Sequence, residues 1–201
     1  MTARLGHHAS QQVFRELLGV LARPGTLGRL GAMAPHPALL VPLALADVDV
    51  GVAVLDHRAG QSDEWERLVC KATGARRMSL DRAEIVVALR SITPGEVRSL
   101  RRGRADAPER GARLVVACDR IAKDGGDVAV ELAGPGVAGT TRLGLDGVPA
   151  DAILALAQVN AGFPAGVDTF LVAAGGAVAG LPRSTRVTIL HSEERQWATR
   201  R

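Results

Sequence analysis

The chain has 201 residues, 47% hydrophobic and 23% charged, which fits one globular domain and excludes a disordered chain, a collagen-like repeat and a coiled coil. Two cysteines, Cys70 and Cys118, are too few for a disulfide scaffold or a cysteine-based zinc site, and no apolar run reaches the roughly 18 residues that cross a bilayer. The formal net charge of +4 rests almost wholly on arginine, since Lys71 and Lys123 are the two lysines; five aromatic residues argue against a nucleic-acid binder that stacks bases.

Residues 1–9 read as a flexible N-terminus without the apolar core of a signal peptide, so a cytoplasmic protein is expected. Residues 10–23 predict an amphipathic helix: Val13, Leu17, Val20 and Leu21 recur at helical spacing, with Phe14 and Leu18 widening the stripe, Ser10 is the N-cap, and Pro24-Gly25 ends it. A second, very apolar helix is predicted over 37–46, with Pro37 in its first turn and Pro42 as a perturbation. A buried strand over 50–55 follows. Asp63 and Glu66 suggest a capping box opening a helix that Gly74 stops. After a strand at 83–89, Thr93-Pro94-Gly95-Glu96 gives a stronger start for a short helix ending near Gly103, and 113–117 is the next strand.

The second half leans toward strand. Segments 128–133 and 140–145 flank a Gly-rich turn, Pro149 opens a helix to about Asn160, 167–173 and 177–181 form a hairpin around Gly175-Gly176, and 186–190 is a final strand. The tail, 191–201, is polar. The early alternation of helix and strand predicts parallel pairing and the late hairpins predict antiparallel additions. The sum is a single α/β domain, 10–190, with a layered mixed sheet.

Most chemistry-bearing patterns fail on inspection. Gly134-Pro135-Gly136-Val137-Ala138-Gly139 matches G-x-G-x-x-G, yet a strand rather than a helix follows and Pro135 lacks an amide donor, so it reads as a strand connection. No P-loop is present. The histidines, at 7, 8, 36, 57 and 191, show no metal-ligand spacing, and the cysteines read as small buried hydrophobes. The basic run Arg98 to Arg104 reads as a solvated face paired to Glu96, Asp106 and Glu109, with a phosphate-facing edge as the alternative. Three segments stand out: Gln11 to Arg15 leading to Arg23-Pro24-Gly25; Phe163-Pro164-Ala165-Gly166-Val167-Asp168; and Leu181-Pro182-Arg183-Ser184-Thr185-Arg186. They read as turns in which Asp168 or Thr185 bonds backbone amides. The functional alternative is that Arg15, Arg23 and Arg183, at element ends, reach an anion.

These segments carry a resemblance. Gln11-x-x-Phe14-Arg15-x-Leu17, Arg23-Pro24-Gly25, Leu132-x-Gly134-x-Gly136-Val137, Phe163-Pro164-x-Gly166-Val167-Asp168 and Leu181-Pro182-Arg183-Ser184-Thr185-Arg186-Val187 resemble, in order and spacing, the PhnH family, the H subunits of the bacterial carbon–phosphorus lyase system. Residues 47–125 contribute no motif to the match. The resemblance implies a fold similar to the large domain of pyridoxal-phosphate-dependent transferases, without the cofactor; Lys71 and Lys123 lie outside every motif. It implies a homodimer that joins the G, I and J subunits and binds no cofactor, nucleic acid or membrane itself. With G, I and L it would support displacement of adenine from ATP by an alkylphosphonate, giving a ribose 1-alkylphosphonate 5-triphosphate; the I subunit carries that chemistry and J later cleaves the carbon–phosphorus bond at a radical iron–sulfur centre. This chain is then an accessory subunit of a multi-subunit transferase, with no catalytic residue singled out, and Arg15, Arg23, Arg183 and Asp168 are candidate anion or interface residues. A stand-alone transferase-like enzyme is the alternative function.

Overall fold

A computed structural model describes residues 5–31, 34–57 and 59–190. Helix α1, His7–Ala22, buries Val13, Leu17 and Val20, while Phe14 and Leu18, expected to widen that stripe, are exposed; it is capped at Gly6 rather than Ser10, so His7 to Ala9 form its first turn instead of a loose lead. After the short strand β1, Gly28–Arg29, the apolar segment divides into a 3-10 turn, Pro37–Leu39, and α2, Leu40–Leu45. The His36 ring starts this pair by accepting the Ala38 amide, and Pro42 falls in the first turn of α2, where a missing N–H costs nothing.

Strand β2, Gly51–Leu55, leads to α3, Ala59–Thr73. The expected capping box is absent because the helix begins four residues before Asp63. Both carboxylates instead reach Arg77, and Glu66 also accepts the Val54 amide at 2.9 Å, tying α3 to the sheet. Strands β3, Arg76–Arg77, and β4, Ile85–Ala88, precede α4, Pro94–Ser99. Here the capping box does form: the Thr93 hydroxyl accepts the Glu96 amide and the Glu96 carboxylate accepts the Thr93 amide. Strands β5, Arg102–Arg104, and β6, Ala107–Gly111, make a hairpin that the sequence reading missed; α4 stops at Ser99 to release it. Strands β7, Arg113–Cys118, β8, Arg120–Ala122, β9, Val128–Ala133, and β10, Thr140–Asp146, follow; then come α5, Ala150–Asn160, and β11, Asp168–Ala173, β12, Ala177–Leu181, and β13, Arg186–Leu190. The polar tail lies outside the described residues.

The strands sort into two main sheets. The larger runs β1-β12-β11-β7-β4-β2-β3, parallel from β11 through β3, with β12 antiparallel to both of its neighbours. The smaller, β13-β9-β10-β8, is antiparallel throughout. The mixed single-domain α/β expectation holds, with the late strands divided between the sheets.

Side chains along the large sheet alternate between two cores, as the two-residue period of a strand requires. On β7, Leu114, Val116 and Cys118 face one core and Val115 the other; on β11, Leu171 and Ala173 oppose Phe170 and Val172. One core is closed by α1, α2 and α3 through Val13, Leu17, Leu40 and Val69. The other is closed by the small sheet, α4 and α5 through Val130, Leu143, Val97 and Leu156.

Candidate functional site

The motif segments, far apart in sequence, pack on one another. Gly25 and Gly136 both adopt positive φ, +87° and +80°. A Cβ on Gly25 would lie 2.1 Å from Thr141 Cγ2, and one on Gly136 would lie 2.2 Å from the Ala22 carbonyl oxygen. The β9–β10 turn therefore rests directly on the end of α1, a closeness only glycine permits. On its other side, a Cβ on Gly134 would lie 2.9 Å from the Ser184 carbonyl oxygen, in the β12–β13 turn. The Gly-rich run is an antiparallel connection closed by the Val137 amide on the Gly134 carbonyl at 3.1 Å. No helix follows it to aim free amides at a pyrophosphate.

Beside this junction lies an open cleft of about 940 Å³, lined by Arg23, Leu27, Lys123, Glu131, Thr141 and Arg142 among others. Arg142 Nε stands 3.7 Å from Glu131 Oε2, whereas Arg23 and Lys123 have no carboxylate within ion-pair distance among the described residues. Of the expected anion-site arginines, Arg23 alone reaches this cleft. Arg15 sits on the exposed face of α1, next to the exposed Phe14 and Leu18.

Arg183 and Asp168 are brought together elsewhere. Arg183 donates Nε to Asp168 Oδ1 at 3.1 Å and Nη2 to Oδ2 at 2.6 Å, a bidentate fork, and its amide donates to the same Oδ1 at 2.9 Å. The remaining Nη1 donates to the Pro108 carbonyl on β6. The two side chains are only 12% and 24% exposed, so the pair is largely withdrawn from water and works as a clamp. Neighbouring contacts complete it. The Asn160 side chain, at the end of α5, accepts the Val167 amide at 2.8 Å and donates to the Val167 carbonyl at 3.1 Å; the Gly166 amide donates to the Arg102 carbonyl at 2.7 Å. The Phe163–Pro164 peptide between them is cis. Asp168 does bond a backbone amide, as expected, but the buried Thr185 hydroxyl has no hydrogen-bond partner among the described residues.

A feature the sequence reading passed over lies at the carboxyl ends of the parallel strands, the edge where open α/β sheets bind ligands. A crevice of about 280 Å³ is lined there by His36, His57, Arg90, Cys118 and Asp119. The signal was present: His57, Arg90 and Asp119 each come one or two residues after a buried strand ends. Burial holds the His36 pKa below its ordinary value, against the pull of Asp56. Burial, then Asp119 and Asp146, push the Cys118 thiol up to about 12, so it stays protonated and is no nucleophile at neutral pH. No group of His, Cys, Asp and Glu suited to a metal ion occurs among the described residues.

Arg90 on this rim is held by Glu96 through a fork with contacts at 2.6 and 3.1 Å. The Arg90 hydrogen bonds, aided by those from Thr93, bring the Glu96 carboxyl from 4.5 down to about 2. A carboxyl lowered on folding stabilises the fold above its unfolded value. This contribution, on the order of 1–2 kcal/mol once solvent screening of a partly exposed pair is allowed for, is lost as the pH falls from 4.5 toward 2. Glu96→Gln should flatten that part of the acid-unfolding curve, measured by circular dichroism against pH; an unchanged curve would show the carboxylate to be unperturbed.

The bacterial phosphonate metabolism protein (PhnH) family model matches residues 4–188, and the chain belongs to that family. It is 33% identical over 183 residues to a protein named as a C-P lyase subunit, HtxG, of Stutzerimonas stutzeri, covering 89% of this chain and 86% of that one. It is 30% identical over 187 residues to the alpha-D-ribose 1-methylphosphonate 5-triphosphate synthase subunit PhnH of Rhizobium meliloti (strain 1021), covering 89% and 90%. No helix among the described residues is long and apolar enough to cross a membrane.

Proposed function

We propose that this chain is an accessory subunit of a C–P lyase-type assembly, the ribose 1-methylphosphonate 5-triphosphate synthase complex for which its relative is named. The observation that carries the reading is the family match along nearly the whole chain. The use of the motif residues supports it: Gly25, Gly136, Asp168 and Arg183 fix backbone against backbone, and none is joined to an activated nucleophile or base. Such residues shape surfaces. On this reading the chain dimerises, meets the G, I and J subunits in the cytoplasm and binds no cofactor. Its fold is akin to the large domain of pyridoxal-phosphate-dependent transferases. ATP and the alkylphosphonate, with adenine as the leaving group, are substrates of the assembly, and any anion contact from this chain falls to Arg23 at the open cleft.

Co-expression with the G, I, J and L subunits tests this. The expected result is co-elution in a particle heavier than two copies, and phosphonate-dependent adenine release that disappears when this chain is omitted. A chain that stays apart from those subunits, while adenine release proceeds without it, would refute the reading. The crevice with His36, His57, Arg90 and Asp119 favours a second reading, a stand-alone transferase-like enzyme. Turnover of a small molecule by the purified chain, or a pyridoxal absorption band, would decide for it.

A further inference from the structure

We propose that the β5–β6 hairpin is an electrostatic docking arm that receives an acid-rich patch on a protein partner's surface of mixed charge. The proposal rests on the subunit reading above and names the surface that reading needs. Residues 98–113 hold six arginines against two acids, Asp106 and Glu109. The expected self-pairing is only partial. Arg101 is paired to Glu84, and Arg104 lies 3.2 Å from Asp106 in an exposed contact. Glu96 is taken by Arg90. Arg98, Arg102, Arg110 and Arg113 are all exposed, and none has a carboxylate within 4 Å among the described residues.

An exposed two-stranded ribbon crowded with like charge would be marginal in water on its own. This one is fixed firmly. The Arg102 carbonyl accepts the Gly166 amide at 2.7 Å, the Arg101 carbonyl accepts the Ala112 amide at 2.8 Å, and the Pro108 carbonyl accepts Arg183 Nη1 from the buried clamp. Gly111 lies so close to the Gly166 carbonyl oxygen that a Cβ there would be 2.3 Å from it. The backbone that carries Arg102 and Arg110 is thus held in place, with Arg98 on α4 just before it in the chain and Arg113 on β7 just after. Three residues before Gly166, which meets the hairpin, Phe163 is 62% exposed. Arginine and aromatic side chains are enriched at protein interfaces, where guanidinium forks meet carboxylates. The hairpin's own acids, Asp106 and Glu109, would face a phosphate backbone unfavourably, and a protein surface of mixed charge accommodates them. That favours a protein over a nucleic acid.

The test measures binding of the purified chain to the co-expressed G, I and J subunits at low and at moderate salt, with Arg102→Glu/Arg110→Glu beside the parent chain. The variant is expected to bind about tenfold more weakly at low salt, mainly through slower association, and to lose much of the salt dependence. Its thermal midpoint should stay put, because both guanidiniums are solvated. Equal affinity and equal salt dependence of parent and variant would overturn the arm while leaving the subunit reading intact. No association by the parent chain would overturn both. Binding of duplex DNA by the parent chain at moderate salt, lost in the variant while subunit binding persists, would assign the arm to nucleic acid and sink the proposal.

Discussion

Asp168→Ala is expected to lower the stability of the domain by about 3 kcal/mol, a fall in thermal midpoint of about 6–12 °C for a chain of this size. The cause is the arginine left behind. Arg183 is 12% exposed and directs Nε, Nη2 and its amide at the Asp168 carboxylate. Without the carboxylate, a guanidinium remains withdrawn from water with Pro108 as its one hydrogen-bonded acceptor. Breaking such a pair costs more than the pair itself contributes, so removing both partners should be milder than the sum of the single losses. Thermal melts of Asp168→Ala, Arg183→Met and the double variant measure this. A loss under about 0.5 kcal/mol for the single aspartate variant would mean that the pair is a solvated surface contact.

Gly136→Ala should cost about 2–4 kcal/mol, and the same turn supplies its control. At φ +80° an L side chain meets a penalty of about 1–2 kcal/mol, and here the added carbon would also stand 2.2 Å from the Ala22 carbonyl oxygen, forcing the turn off the end of α1. Gly139 has a similar φ of +75° with nothing within 4 Å of its would-be Cβ. Gly139→Ala should therefore show the dihedral penalty alone. Denaturant titration of the two variants gives the difference, which is the energy of the α1 contact. Equal losses would mean that the turn moves away freely.

The strongly patterned elements were legible because local chemistry agreed with the final fold. Strands β2, β4 and β7 are short apolar runs buried on both faces, and α4 carries cap, proline and glutamate in order. The pair Asp63 and Glu66 misled because three-residue spacing also places two carboxylates on one helix face, where a strand arginine outcompetes the helix terminus for them. Strands β5 and β6 escaped because Gly, Pro and alternating charge leave no apolar face to read. The site was legible as odd residues and illegible as a clamp. Asp168 and Arg183 are fifteen positions apart, and they meet because Thr169 pairs with Leu181 across the β11–β12 hairpin, setting the two just beyond one end of it. That register comes from the whole hairpin, and neither residue's neighbours disclose it.

The large sheet is a party wall between two hydrophobic rooms. Val115 furnishes one room and Leu114 and Val116 the other, on a single unbroken backbone. A disturbance on either side is transmitted through that shared backbone, so the helical flank and the flank of the small sheet are set to loosen together. On the subunit reading proposed above, such a wall would make the spacing between its outer faces a property of the entire domain.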